Sequence, residues 1–495
     1  MKIKRWIYLT HRWLGIGMCL LMAMWFFTGV VMMYVGFPAL SVSERLQGLP
    51  VLEPAQLRVP VSRLLERLPP EGEVVSLRLT TVLERPAYVL LDGSGNRHVL
   101  FADNGEWLGE VGARQALRAA AQFAASHGLA LAPGARAESL AMDQWTVSSS
   151  LHGHRPLYRV PLADAAGTEL YVSSRTAEVV RDTTSRERVW NWLGANLHWL
   201  YPMQLRRHPT LWHWVIVVLS IIGLVSIVTG GIVGVQRLRI RRRYRGRDIT
   251  PYRGMMKWHH ILGLVTLVFL LTFMLSGLLS MNPFGVFSAR QPGVDVKRAL
   301  TGGTTVADHR RDVPAMAHLH GALSRGEPVR EVRWLRLGGR GYQVLIADAH
   351  RYRALLPPDW PADATPADLA RRAITASLPP GAVVDARELQ HYDNYYYSHH
   401  QRWRPLPVLR MRTSGPLGSW FYIDASTGEL LQWTTTKNRV QRWLYHGLHS
   451  LDFAFLINRR PLWDAVVIAL SALGMALSGS SVIVAWRRLR PRRAP

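Results

Sequence analysis

Cysteine is almost absent from the chain: Cys19 is the only one among 495 residues. One cysteine cannot close an internal disulfide, hold an iron–sulfur cluster or supply the Cys-x-x-Cys-His attachment site of c-type haem. The sequence also has no G-x-G-x-x-G after a strand pattern, no P-loop, no nucleophile elbow and no His-Glu-x-x-His. It therefore lacks the usual signatures of nucleotide binding, serine hydrolysis and zinc proteolysis.

Charged residues are nearly missing from four long stretches, although 48% of the chain is hydrophobic. Each stretch exceeds the roughly 20 residues that a helix needs to cross the hydrocarbon core of a bilayer. The first is too long for a secretory signal, and no A-x-A-like cleavage site follows it. We therefore predict four membrane-spanning helices, near residues 12–36, 211–236, 258–282 and 463–487.

Acidic residues are few, with 34 Asp and Glu against 60 Lys and Arg and a net charge of +26. The basic residues collect at the N-terminus, between the second and third spans and at the C-terminus. Because each basic block adjoins a span, the pattern indicates a positive-inside orientation in a lipid bilayer and not nucleic-acid binding. We expect both termini and the short loop in the cytoplasm of a bacterium. The two long segments, about 40–205 and 285–445, are then periplasmic, and the protein lies in the inner membrane.

The two halves of the chain repeat the same features in the same order. The matched features are His-Arg-Trp-Leu-Gly (11–15) with His-His-Ile-Leu-Gly (259–263), Thr28-Gly29 with Ser276-Gly277, Leu197-His198 with Leu448-His449, and Trp212 with Trp463. The first two pairs share an offset of 248 residues and the last two an offset of 251. This constancy indicates a tandem duplication. Each half begins and ends on the cytoplasmic side, so the repeats are parallel, with a pseudo-two-fold axis along the membrane normal.

The predicted fold class is a membrane α-helical protein with two added α+β domains. Alternating strand patterns and one helix pattern in each long segment indicate the α+β part. The predicted divisions are 1–37 (transmembrane helix 1), 38–205 (periplasmic domain 1), 206–237 (transmembrane helix 2), 238–257 (basic cytoplasmic loop), 258–283 (transmembrane helix 3), 284–445 (periplasmic domain 2), 446–487 (membrane-entry segment and transmembrane helix 4) and 488–495 (cytoplasmic tail).

Four histidines stand at the membrane edges in two repeat-matched pairs. His11 and His259 lie at the cytoplasmic edge, whereas His198 and His449 lie at the periplasmic edge. Coordinating residues at such positions are functional candidates because they need a partner there. Two imidazoles from facing helices in an apolar bundle are what a non-covalent haem b needs. We therefore predict two haem b groups, with one histidine pair as the axial ligands of each.

Other assignments of these histidines stay open. His260 adjoins His259, His446 lies three residues before His449, and His213 lies near the start of the second span. Each is an alternative haem ligand. The plainer interpretation is that interfacial histidine and tryptophan mark the headgroup region, while the nearby glycines allow close helix packing.

One polar and aromatic stretch, His391 to His400, stands out in the second long segment. Tyrosine oxygens and arginine suit a hard ferric ion or its anionic chelator. The predicted substrate contacts are Tyr395, Tyr396, His399, His400 and Arg402. The alternative is an ordinary half-buried strand.

The spans, the repeated His-x-x-Leu-Gly openings, the Leu-His pairs and the turn Asp424-Ala-Ser-Thr-Gly428 together give the chain a family likeness. It resembles the PepSY-associated transmembrane family over nearly its whole length. The resemblance implies two PepSY-like periplasmic domains and a link to iron uptake, since some members resemble di-haem reductases of ferric siderophores. It also implies that the four histidines hold the two haems. The first turn, Ser173-Ser-Arg-Thr-Ala177, departs from the family pattern.

The function that we expect is that of a haem-dependent transmembrane oxidoreductase. A quinol or a cytoplasmic flavin reductase would supply electrons, and a periplasmic acceptor, with ferric siderophore preferred, would receive them. The alternative is a non-enzymatic membrane anchor whose PepSY-like domains bind or regulate a periplasmic partner. Transport is a third interpretation, but the sequence shows no broken helices or polar groups at mid-membrane.

Overall fold

The computed structural model describes residues 2–240, 248–288, 294–313, 315–398, 403–415 and 418–490. The chain forms two compact units, and each unit takes residues from both halves of the sequence. Unit 1 comprises Met1–Phe37, Val189–Ser288 and Lys437–Pro495, and unit 2 comprises Pro38–Arg188 and Ala289–Thr436.

The helices and strands follow one another in nearly the same order in the two halves. The α-helices are α1 (Lys2–Met32), α2 (Val42–Gln47), α3 (Ser62–Leu65), α4 (Ala113–Ser126), α5 (Ser185–Asn191), α6 (Met203–Arg206), α7 (Pro209–Arg237), α8 (Gly254–Val265), α9 (Leu267–Ser280), α10 (Val294–Thr301), α11 (Val306–Arg311), α12 (Met316–Ser324), α13 (Pro366–Ala376), α14 (Thr436–Arg442), α15 (Ala454–Ile457) and α16 (Leu462–Leu489). The strands are β1 (Val74–Val82), β2 (Arg85–Asp92), β3 (Arg97–Phe101), β4 (Glu138–Leu140), β5 (Leu157–Pro161), β6 (Glu169–Ser173), β7 (Val179–Thr183), β8 (Glu331–Leu337), β9 (Arg340–Ile346), β10 (Tyr352–Leu355), β11 (Val383–Leu389), β12 (Val408–Thr413), β13 (Trp420–Asp424) and β14 (Leu430–Thr434). Single π-helical turns at Trp192–Asn196 and Trp443–Gly447 follow α5 and α14.

Unit 1 contains the membrane-spanning helices. Within the described residues, α1, α7 and α16 are each long and apolar enough to cross a bilayer. The helices α8 and α9 pass the same test together but are bent by 65°, so the count is three spans, or four if the bent pair is one span. The chain is therefore a multi-pass membrane protein that has an α+β unit in addition to its helical unit.

The bend corrects the prediction of one unbroken helix over 258–282. Thr266 separates α8 from α9, has a ψ of −3° and is fully buried. Its hydroxyl donates to the carbonyl of Leu262 at 2.7 Å. A threonine hydroxyl that bonds back to the preceding turn competes with the helical ladder and favours a bend. The sequence analysis argued against transport because it found no broken helix. The bent pair α8–α9 removes that argument.

The helix α7 runs antiparallel to both α1 and α8. At one end, Arg237 at the end of α7 donates from Nε to the hydroxyl of Tyr8 near the start of α1, at 2.8 Å. His260 of α8 contacts the Gly234 carbonyl of α7 at the same end. Close packing at mid-length uses glycines: a Cβ on Gly474 would meet the Phe26 ring at 2.6 Å. Small residues allow such close approach of membrane helices.

Unit 2 consists of three antiparallel sheets with helices packed against them. A six-stranded sheet has the order β10-β9-β8-β1-β2-β3, and two four-stranded sheets are formed by β4–β7 and β11–β14 in sequence order. The strands β1 and β8 come from different halves and pair directly, with Arg78 opposite Arg333. The two long segments, which the sequence analysis treats as separate domains, thus share one sheet.

Buried charges hold this shared sheet together. Glu331 on β8 is almost fully buried and accepts from Arg45 at 2.6 Å and from Arg78 at 3.4 Å. Arg78 also bonds to Glu178 at 2.7 Å, and Arg333 bonds to Glu429 at 3.2 Å. Burial opposes ionisation of Glu178, but Arg78 outweighs it and lowers its pKa to about 2. The Glu178 carboxylate therefore stays charged and paired with Arg78 throughout the physiological range.

Candidate functional site

The first histidine pair brings α1 and α8 together. The ring centroids of His11 and His259 lie 6.2 Å apart, with an angle of 31° between the ring planes. Both side chains are partly buried within unit 1. The predicted pairing across the two halves is therefore present in the structure as close ring proximity.

The second pair has nearly the same separation. His198 and His449 each follow a π-helical turn, and their ring centroids lie 6.1 Å apart with an interplanar angle of 72°. Seventeen residues of α1 separate His11 from Thr28, which contacts His198, and this corresponds to about 25 Å of helix rise. The two pairs thus lie at well-separated depths of the same helical unit.

Tryptophans anchor the segments that carry the second pair. Trp212 donates from Nε1 to the Trp199 carbonyl at 2.8 Å, and Trp463 donates to the Ser450 carbonyl at 2.9 Å. Trp25 also donates to the carbonyl of His198 at 3.0 Å. These bonds fix the backbone on which each imidazole stands.

The Nδ1 atoms of the first pair form hydrogen bonds with residues of α7 and α16. His11 Nδ1 lies 3.0 Å from the Ser226 carbonyl oxygen, which can only accept. His259 Nδ1 lies 3.3 and 3.2 Å from the hydroxyls of Ser480 and Ser481. Both hydroxyls donate to the Leu477 carbonyl, so their oxygens are left to accept from the imidazole.

In the second pair, too, Nδ1 of each histidine lies within hydrogen-bond distance of an oxygen on another segment. Thr28 lies 3.0 Å from His198 Nδ1 and donates its own hydrogen to the Met24 carbonyl. His449 Nδ1 lies 3.1 Å from both the Ser276 hydroxyl and the Phe273 carbonyl. Ser276 donates to that same carbonyl at 2.9 Å.

The carbonyl partners of His11 and His449 place the proton on Nδ1 and the lone pair on Nε2. The hydroxyl partners of His198 and His259 accommodate the same tautomer. Among the described residues, Nε2 of these four histidines makes no hydrogen bond. A histidine that ligates a metal typically donates its second ring N–H to a carbonyl or similar acceptor in this way. The arrangement therefore presents four lone pairs suited to metal ligation.

The ring separations fit one metal ion between the members of each pair. A metal–imidazole bond of about 2.0–2.1 Å, with roughly 1.1 Å from the nitrogen to the ring centre on each side, gives a centroid separation of roughly 6.3 Å. The observed values are 6.2 and 6.1 Å. Within the described ranges, there is no group of three or more His, Cys, Asp or Glu that could hold a metal ion. Axial ligation of haem iron requires two imidazoles and no third side chain, so the residues fit that group.

Glycines leave the space that the rings occupy. A Cβ on Gly230 would meet His11 Cε1 at 2.5 Å, which is closer than real contacts allow. A Cβ on Gly29 or Gly277 would touch His198 or His449 at 3.5 Å in each case. The glycine and hydroxyl contacts of the second pair thus recur in both halves.

The three alternative histidines differ in their surroundings. His260 uses both ring nitrogens, with Nδ1 2.7 Å from the Thr250 hydroxyl and Nε2 2.8 Å from the Gly234 carbonyl. It has no lone pair to offer and instead fixes the chain after the basic loop. His446 contacts the ring of Tyr445 with centroids 4.7 Å apart and an interplanar angle of 55°, and His213 contacts Trp214.

The predicted substrate contacts divide into described and undescribed residues. His399, His400 and Arg402 lie outside the described residues. Tyr396 is fully buried, stacks on Tyr422 with centroids 5.0 Å apart and donates to the Pro405 carbonyl at 2.8 Å. It therefore packs in the core of the β11–β14 sheet. Tyr395 is partly exposed and packs edge-on against Trp420.

The two PepSY-like turns have the same backbone shape. Asp424 accepts from the backbone amides of Ser426 and Thr427, and Ser173 accepts from those of Arg175 and Thr176. Each turn ends on a residue with positive φ, Gly428 at 73° and Ala177 at 55°. The serine therefore replaces the aspartate as a turn acceptor, and the departure in the first turn leaves its geometry in place.

Sequence reasoning missed part of the histidine environment. Ser226, Gly230, Ser480 and Ser481 all contact the first pair, and none was singled out. A serine or glycine inside an apolar span carries no local signal of its partner. The sequence gives an indirect signal: Ser220 and Gly223 match Ser471 and Gly474 at the same offset of 251 residues, which indicates that register is kept along the second and fourth spans.

Comparison with known proteins identifies the family. A search of curated proteins finds no match. The family model described as the PepSY-associated TM region matches residues 8–379, which is well over half of the chain and includes three of the four paired histidines. The chain therefore belongs to the PepSY-associated transmembrane family.

Proposed function

We propose that this protein is a di-haem b electron-transfer protein of the bacterial inner membrane. One haem is held by His11 and His259 and the other by His198 and His449. A haem held by two imidazoles supplies reversible one-electron transfer between ferric and ferrous iron. The observation that carries the proposal is the pair of ring separations, 6.2 and 6.1 Å.

The chain's own contribution is to hold the ligands and to exclude water between the two pairs. Phe26, Ile227, Leu270 and Met274 form a buried apolar cluster within unit 1. Phe269 and Phe273 pack against it, with ring centroids 5.5 Å apart. A filled apolar centre suits electron transfer and gives no route for a solute. This packing, rather than helix continuity, now argues against transport.

We further propose four spans from a tandem duplication, with the bent pair α8–α9 as the third. Matching backbone features support this, since Leu200 and Leu451 have φ values of 49° and 51° at an offset of 251 residues. With four spans, both termini and the basic loop lie on one side. Positive-inside bias makes that side cytoplasmic, so unit 2 is periplasmic.

Ferric siderophore is our preferred acceptor, with quinol or a cytoplasmic flavin reductase as donor. Reduction of ferric iron weakens its bonds to hard oxygen ligands, and this releases the metal. An acceptor would meet unit 2 at partly exposed residues such as Tyr395 and not at the buried Tyr396.

Haem stoichiometry of detergent-purified protein tests the proposal. We expect two haem b per chain by pyridine haemochrome assay, and one in each of the single variants His11→Ala and His198→Ala. His213→Ala is the matched control, because it removes an imidazole of unit 1 outside both pairs, and it keeps two. A colourless protein after expression with ample haem contradicts the proposal and favours the membrane-anchored binding module.

Acceptor specificity requires a second measurement. Dithionite-reduced protein, freed of excess reductant, is mixed with a ferric hydroxamate chelate under anaerobic conditions. We expect haem reoxidation together with the appearance of ferrous iron trapped by a chelating dye. Stable ferrous haem in the presence of several ferric chelates would rule out the siderophore as acceptor while leaving the haem sites intact.

A further inference from the structure

One end of unit 1 carries a strong and nearly unopposed positive charge. This basic end consists of the start of α1, the end of α7, the start of α8 with the segment before it, and the end of α16. Among the described residues there, eleven are basic and one, Asp248, is acidic. The basic residues are Lys2, Lys4, Arg5, Arg12, Arg237, Arg239, Arg253, Lys257, Arg487, Arg488 and Arg490. Most of them are exposed.

Positive-inside orientation explains why basic residues collect at this end. It does not explain the hydrogen bonds and the ion pair that order the backbone around them. The Thr250 hydroxyl is buried against His260 Nδ1 at 2.7 Å, and the Arg239 amide donates to the Ile249 carbonyl at 2.8 Å. Asp248 pairs with Lys257 at 3.1 Å. These contacts fold the segment 248–253 onto the ends of α7 and α8. The basic end is therefore a preorganised surface in this part of the chain.

The basic end lies directly beside the first histidine pair. Arg5 and His11 are six residues apart on α1, which corresponds to about 9 Å of rise. Lys257 precedes His259 by two residues on α8. A partner that docks on these charges therefore comes within a short distance of one redox site.

We propose that the basic end docks an acidic, soluble one-electron carrier protein. The inference rests on the proposed function and names its donor: an acidic protein rather than a quinol. A quinol is neutral and reaches the site from within the bilayer, so it makes no use of an exposed cationic surface. A cluster of like charges raises the rate of encounter with an oppositely charged protein by about 10- to 1000-fold. Redox encounters use small, weak interfaces, for which such steering matters most.

Binding of a defined acidic carrier tests this proposal without using haem chemistry. The probe is an oxidised plant-type [2Fe–2S] ferredoxin, added to the full-length protein in detergent. We expect binding at about 20 mM salt that weakens at least tenfold at about 300 mM salt, where the Debye length is much shorter. Arg5→Glu/Arg488→Glu, which reverses two exposed charges, lowers affinity at least tenfold at low salt. Arg5→Lys/Arg488→Lys keeps the charge and binds as the wild type does.

A matched control reverses a charge at the other end of unit 1. Arg459 is exposed before α16, and Arg459→Glu leaves ferredoxin affinity within about twofold of wild type. Equal binding by wild type and the double charge reversal, or no binding by wild type at low salt, overturns the proposal. A further outcome is that the double charge reversal loses binding to vesicles of anionic phospholipid but keeps its affinity for ferredoxin. That outcome assigns the basic end to lipid headgroups and also overturns the proposal. Haem content is recorded separately, so a colourless protein that binds ferredoxin refutes the proposed function and not this surface.

Discussion

At the residue scale, the position of the His11 ring depends on the space beside it as well as on its hydrogen bond. His11 lies against Gly230, where a Cβ would stand 2.5 Å from ring carbon Cε1. Helix backbone cannot shift cheaply in a packed bundle, so the ring would have to turn. The first pair therefore depends on a glycine from a helix that supplies no ligand.

Gly230→Ala should therefore displace His11 and lower haem occupancy at the first pair. We expect about one haem per chain, as in His11→Ala, with unchanged secondary structure by circular dichroism. Gly17→Ala on α1 is the control, because no heavy atom lies within 4 Å of its built Cβ. Two haems in Gly230→Ala would show that the pair does not need this space.

Asp182 gives unit 2 a pH-dependent stability. Burial, together with Glu44 and Glu187, raises the pKa of Asp182 to about 6. A carboxyl whose pKa is higher in the folded state contributes stability at low pH, and this contribution is lost as pH rises from about 4 through about 6. The cost of the charged form at pH 8 is on the order of 2–3 kcal/mol.

Asp182→Asn should therefore stabilise the protein at pH 8 and have little effect at pH 4. The measurement is the thermal unfolding midpoint of full-length protein in detergent at both pH values. Asp363→Asn is the control, since Asp363 is 77% exposed and its loss should change the midpoint little at either pH. A midpoint for Asp182→Asn that tracks wild type at pH 8 would contradict the account.

Residue identities at the histidine pairs were predictable, but their environments were not. The constant offsets of 248 and 251 residues between the halves match His11 with His259 and His198 with His449. Whether a ring nitrogen is free to bind a metal depends on partners distant in sequence. The sequence therefore does not show that Thr250 and Gly234 occupy both ring nitrogens of His260. Tyr396 was likewise assigned to a surface although it packs in the core.

At the element scale, the pairing of β1 with β8 joins the two halves within unit 2. Only three residue pairs form this junction, and Glu331 sits at its edge between Arg45 and Arg78. The Glu331 side chain is 3% exposed, so its loss leaves two arginines short of a counter-charge. Removing one partner of a buried ion pair is strongly destabilising.

Glu331→Gln should lower the free energy of unfolding by about 3 kcal/mol or more. The measurement is urea-induced unfolding of the full-length protein, followed by tryptophan fluorescence. Glu66→Gln is the matched control, because the Glu66–Arg63 pair is 51% and 70% exposed and such pairs contribute about 0–1 kcal/mol. Equal midpoints for the two variants would show that the buried network does not stabilise the junction.

Element positions were easier to predict than element connections. The apolar runs located α1, α7 and α16 because each depends on local composition. The bend at Thr266 depends on one hydroxyl bond within an otherwise apolar helix. The β1–β8 pair joins strands about 250 residues apart, and no local pattern specifies which edges meet.

At the scale of the whole molecule, the two histidine pairs are built in similar ways, and the proposed function assigns one haem to each pair. Both pairs take one histidine from each half, and all four imidazoles have a hydrogen-bond partner at Nδ1. The pairs differ in ring orientation, with interplanar angles of 31° and 72°. In the proposed di-haem protein, this difference should give each haem its own spectroscopic signature.

Low-temperature electron paramagnetic resonance of the oxidised, purified protein tests the central claim most directly. Near-parallel imidazole planes give ferric haem a rhombic low-spin signal, whereas near-perpendicular planes give a strongly anisotropic one. We predict both signals, with the rhombic one lost in His11→Ala and the strongly anisotropic one lost in His198→Ala. A haem-supplied preparation with no low-spin ferric signal would contradict the account.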